Sequence, residues 1–272
     1  MSARANLTSA DGVERFRGVV ALAGLATWVI ALVASLASWV SHYEVAQAVQ
    51  FATFAMVVPA LLVTGAPWRR VGLASGEPFR LGDDGALLSP SRLGVMDRLA
   101  ERARRRRGHT HIFTVGIIYL ALVIAWRTAP AVNALVRHPW LVLVESLTLV
   151  ASGVWTWLSI VESPPVSPAT TRPFRIGVAA VSMWTVWVVA YLDGMSQTTW
   201  YAAFHHVAGQ GLSLTADQQL SAGALWLVSA AVFMPVVFWN LIHWLQSEDD
   251  PNEELIRLLR EERSRGNFDT SA

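Results

Sequence analysis

The stretch from Gly18 to Val40, GVVALAGLATWVIALVASLASWV, runs 23 residues without a charge. As a helix it would be about 34 Å long, enough to cross a hydrocarbon layer about 30 Å thick. Arg15 and Arg17 precede it, it is too long for the core of a cleaved leader, and no small-residue cleavage motif clearly follows. It is therefore expected to remain as a first membrane span. Five more runs repeat the pattern, approximately Gln47 to Ala66, His111 to Trp126, Trp140 to Val161, Ile176 to Leu192 and Leu220 to Leu245. The third is short and needs extension, backward into the basic segment before it or forward through Pro130.

Composition agrees. Hydrophobic residues make up 53% of the 272, mean hydropathy is +0.40, and the 15% of charged residues falls well below the roughly 25% of a soluble domain. The fold class is all-α: a polytopic transmembrane helical bundle of about six helices. Of the 21 basic side chains, all are arginine and nineteen lie in flanks on one side of the predicted spans, leaving Arg127 and Arg137 on the other. Positive flanks face the cytoplasm, so both termini are expected inside. Residues 1–16 then form a cytoplasmic N-terminus, 17–245 a six-helix domain with a basic cytoplasmic loop at 67–110, and 246–272 a cytoplasmic helix and tail. Tryptophans such as Trp39, Trp126, Trp140, Trp200, Trp226 and Trp244 fall at or near span ends, as interfacial anchors would. The arginine-only usage fits a GC-rich bacterial genome, and the bacterial plasma membrane is the expected location.

Two cytoplasmic segments read as helices. Ser91 to Arg107 is basic and amphipathic, suited to anionic headgroups, and its nearest anion beside a bilayer is lipid rather than nucleic acid. Asp250-Pro251-Asn252-Glu253 resembles a helix start, with Glu253 and Arg257 spaced as an i,i+4 pair.

With no cysteine in the chain, disulfides and thiolate metal sites are excluded. No phosphate loop, nucleophile elbow or metalloprotease helix occurs, so an enzyme is not expected. Ionisable groups at membrane depth are the candidates that remain. Glu145 lies near 8 Å inside the fourth span, where it would be uncharged or paired with Arg127 or Arg137; a structural pair and a proton or metal role both fit. On the outer side the sequence gathers His42, Glu44, His138, Asp193, His205, His206 and Asp217, with Met195 nearby. Imidazole plus carboxylate could hold copper or zinc there, His42, His138, His205 and His206 being the candidate ligands. A haem between two imidazoles would need His42 with His138, or His111 with His243. Asp217, followed by Gln218 at the opening of the last helix, fits an N-terminal cap or a partner contact.

Two segments carry a family resemblance. Pro59-Ala60-Leu61-Leu62-Val63-Thr64-Gly65-Ala66-Pro67 closes the second span, and Asp217-Gln218-Gln219-Leu220-Ser221-Ala222-Gly223-Ala224-Leu225-Trp226 opens the last. In order and spacing they resemble the caa3-type cytochrome c oxidase assembly factor (CtaG) family, over about Val13 to Glu254. The resemblance implies a membrane assembly or accessory factor for a respiratory haem-copper oxidase, with oxidase or supercomplex subunits as partners. It also implies imidazoles, a copper site among them, at positions where this chain has Gln47, Phe51 and Arg127, and near Glu145-Ser146. Their absence predicts a divergent member whose copper site is lost or rebuilt, with six spans where the family usually has seven. A structural subunit without metal chemistry and a small-molecule or ion path past Glu145 are the other readings open at this stage.

Overall fold

A computed structural model describes residues 2–35, 38–69, 109–164, 170–196, 198–207 and 211–248, together with 73, 80–81, 87–88, 95, 98, 166 and 168. The basic helix expected at Ser91 to Arg107 and the tail helix from Asp250 lie outside the described residues, apart from isolated positions.

Five helices are long and apolar enough to cross a membrane: Gly12–Ala34, Glu44–Gly65, Leu141–Ile160, Arg172–Met195 and Leu214–Gln246. The bent pair Phe113–Trp126 and Ala129–Arg137 makes a sixth if taken as one span. The forward extension through Pro130 is bent, because the helix stops at Trp126 and restarts at Ala129 at an angle of 64°. Proline fits a helix's first turn, where no intrahelical N–H is needed, so Pro130 opens a new helix rather than continuing the old one. The outward faces are large and apolar, with Val19, Leu22, Ile30, Ile117, Leu147 and Leu227 all exposed. Such faces suit lipid.

The second span is the central one and packs against the first, fourth and sixth. Its contact with the first is close because Gly65 faces Ala21: a Cβ on Gly65 would lie 2.4 Å from the Ala21 amide nitrogen. Small residues let membrane helices approach in this way where no hydrophobic effect draws them together. The packing fixes glycine at 65, and Ala66 takes the left-handed conformation (φ 45°) that ends the helix.

A π-helical turn, Thr53–Val57, interrupts the second span ahead of Pro59. Pro59 has no N–H for the Ala55 carbonyl one turn back, and the Tyr119 hydroxyl donates to that carbonyl at 3.1 Å instead. Gly153 leaves room for the proline ring, since a Cβ there would sit 2.6 Å from Pro59 Cγ.

In the fourth span, Thr148, Ser152, Thr156 and Ser159 each donate to the carbonyl four residues back, which satisfies hydroxyls that lipid cannot. Trp28 Nε1 donates to Ser146 Oγ at 2.7 Å and ties the first span to the fourth. The fifth and sixth spans pair along their length and meet closely where Gly194 faces Ala222. At the opposite end from Arg127, Trp68 Nε1 donates to the Pro164 carbonyl at 2.8 Å and the Ser163 hydroxyl donates to the Val63 carbonyl.

Candidate functional site

The break after Trp126 places Arg127 where the chain is no longer helical, with a side chain 1% exposed. Its guanidinium donates to Gln47 Oε1 at 2.7 Å, Asp193 Oδ2 at 2.9 Å and Ser221 Oγ at 3.3 Å. Glu44 Oε1 lies 3.8 Å away. The same guanidinium sits over the Phe51 ring, 5.8 Å from its centroid, and over Tyr201 at 5.1 Å, within the range where a ring face attracts a cation. Tyr201 also donates its hydroxyl to the Arg127 carbonyl at 3.1 Å. Burial pushes the Tyr201 phenol above its ordinary pKa, so it stays a donor.

Two residues of the sixth span complete the cluster. Gln218 Nε2 donates to the Asp193 carbonyl at 2.5 Å. Asp217 accepts from the amides of Glu44 at 2.6 Å and Val45 at 3.0 Å. The expected cap is therefore present but on a different helix: Asp217 caps the second span, while Ser213 Oγ accepts from Ala216 N at the start of its own. One arginine and one aspartate thus join the second, third, fifth and sixth spans and the segment at Tyr201.

Glu145, on the fourth span, is fully buried and neither carboxyl oxygen makes a hydrogen bond. The sequence left open a pair with Arg127 or Arg137, and neither pair forms. Arg127 is turned to Asp193, and Arg137 is exposed with its Nε on the Asn133 carbonyl. Glu44 Oε1, Gln47 Nε2, Arg127 Nε and Asp193 Oδ1 are likewise buried without a hydrogen bond.

Of the outer-side group expected from sequence, Glu44 and Asp193 are buried on Arg127, and Asp217 is buried on the amides of Glu44 and Val45. His42 is half-buried beside Ser41, with Nδ1 3.4 Å from the hydroxyl, and His138 is exposed where the short helix ends. His205 and His206 lie on a 3₁₀ turn, Ala202–Val207, and their side chains are outside the described residues. Among the described residues no three His, Cys, Asp or Glu are grouped to hold a metal ion.

The match to known families decides the identity: residues 2–247 match the cytochrome c oxidase caa3 assembly factor (Caa3_CtaG) family. The chain belongs to that family. No curated protein and no solved structure matches it. In this caa3 assembly factor, three positions singled out from the sequence lie together. Gln47, Phe51 and Arg127, where the resemblance implies imidazoles, meet in space through the hydrogen bond and ring contact of Arg127. Sequence reasoning named these three as departures without seeing that they touch, and it passed over Ser221 and Tyr201. An acid two residues from the end of an apolar helix, as Asp193 is, was the available signal for a buried partner of Arg127.

Proposed function

We propose that this caa3 assembly factor acts on a respiratory haem-copper oxidase through its scaffold, with the Arg127 guanidinium standing where the resemblance implies a transmembrane copper ion. The observation that carries this reading is the guanidinium held by Gln47 and Asp193 over Phe51. This donor set does not fit copper. An amide, a phenyl ring and a fixed cation offer it neither imidazole nor sulfur, and the positive charge repels it. The carboxylates that would attract a metal are turned to the arginine.

In this role the cluster is a clamp. Charge-assisted hydrogen bonds inside a bundle are stronger than their surface counterparts, and these fix four spans against one another at one end, giving a partner a rigid surface. Both termini face the cytoplasm and the cluster lies toward the outer side of a bacterial plasma membrane, in keeping with the arginine distribution. No step of chemistry is assigned to the chain. Affinity purification of the full-length protein from native membranes tests the role: oxidase subunits are expected to co-purify, and their absence from preparations that retain lipid would overturn it.

A further inference from the structure

We infer that the Arg127 cluster is a proton-binding site, one proton resting on Glu145 and a second shared between Glu44 and Asp193. This deepens the reading above, since it concerns the same site, but its test needs neither copper nor an oxidase.

The argument begins with charge. Three carboxyl groups are buried on three spans: Glu44 of the second and Asp193 of the fifth, both on Arg127, and Glu145 of the fourth. Against them stands Arg127. The other charged or titratable groups around the cluster are engaged elsewhere. Asp217 of the sixth span is held by the amides of Glu44 and Val45. Tyr201 donates to the Arg127 carbonyl. Arg137 is exposed on the Asn133 carbonyl. Beside Asp217, whose charge two amides stabilise, the three other carboxyls, if all ionised, would leave two further negative charges unmatched by Arg127 and away from water, a state that buried sites avoid by taking up positive charge.

Geometry says where that charge goes. Glu44 and Asp193 both approach the same guanidinium nitrogen, at 3.8 and 2.9 Å, which crowds their carboxyls onto one cation. Two carboxyls so crowded hold one proton between them rather than ionise together. Glu145 is 0% exposed and neither oxygen has a donor, so an anion there would lack every compensation that buried carboxylates use. A protonated carboxyl carries no such charge.

The ligand is a proton rather than a metal cation because a guanidinium already stands between Glu44 and Asp193 and, among the described residues, no imidazole or thiolate accompanies them. The atoms of the cluster without hydrogen bonds include two donors, Gln47 Nε2 and Arg127 Nε, and two acceptors, Glu44 Oε1 and Asp193 Oδ1.

Infrared absorption of the full-length protein in lipid nanodiscs at neutral pH tests the assignment, in H₂O and in D₂O. The wild-type protein is expected to show the carbonyl band of protonated carboxylic acid, shifted on deuteration. Glu145→Gln and, separately, Glu44→Gln are each expected to remove roughly half of it, one protonated carboxyl apiece. Absence of the band from folded wild-type protein overturns the proposal, as does a band unchanged in both variants. Loss in only one variant overturns the two-proton assignment. Should a variant fail to fold, as circular dichroism would reveal, the wild-type band and the remaining variant decide.

Discussion

Asp217 caps a helix that is not its own, accepting from the backbone amide of Glu44, 173 residues away in sequence, at 2.6 Å. A carboxylate at a helix N-terminus satisfies free N–H groups and meets the positive end of the helix dipole. Here the same bonds also dock the sixth span onto the second. Asp217→Ala is expected to cost about 1–2 kcal/mol in stability. Asp217→Asn should retain part of this, because an amide oxygen still accepts. Apparent melting temperatures in detergent at one scan rate would check the ranking, and an Ala variant as stable as the wild type would contradict the cap.

Why this cap was misplaced by sequence reasoning is instructive. Capping propensity describes a residue's effect on the next few amides, so Asp217 pointed to its own helix, and only the packed bundle brings Glu44 within reach. The spans themselves were legible because a bilayer demands about 20 apolar residues per crossing and forbids charges between. The third run was read to its end at Trp126, but the 64° bend beyond it was not legible, since a proline that opens a new helix and one that continues an old helix look alike in sequence. Gln47, Phe51 and Arg127 could each be named as departures from a pattern, but their convergence depends on how the second and third spans pack.

Arg127 and Asp193 should show strong energetic coupling. Removing one partner of a buried ion pair typically costs about 3–5 kcal/mol, because the other charge is stranded. Arg127→Met alone is expected to lie in that range, and its cost should fall by more than about 1 kcal/mol when Asp193→Asn is already present. Unfolding in SDS titrations of the single and double variants measures this. Additivity within about 0.5 kcal/mol would contradict the pairing.

Glycine substitutions should separate close helix crossings from open surface. Gly65→Ala places a methyl 2.4 Å from the Ala21 nitrogen, and Gly153→Ala places one 2.6 Å from Pro59 Cγ. Backbone atoms and a proline ring cannot move aside cheaply, so each is expected to lose about 1–3 kcal/mol. Gly116→Ala meets nothing within 4 Å and serves as the control. Folded yield by size-exclusion chromatography reads the difference, and a Gly65→Ala variant that matches Gly116→Ala would contradict the packing.

The orientation proposed from the arginine distribution is open to a separate test. A reporter fused after Ala272 that is active only in the cytoplasm is expected to be active, and one active only in the periplasm is expected to be silent. The reverse result would invert the bundle and turn the Arg127 cluster toward the cytoplasm.

The most direct measurement of the central claim is the copper content of the full-length chain, purified in detergent and washed with chelator. With a guanidinium held between Gln47 and Asp193, the account expects copper far below one ion per chain. Stoichiometric copper that survives the chelator, persists when His42, His138, His205 and His206 are all replaced by alanine, and is lost in Glu145→Gln would contradict it.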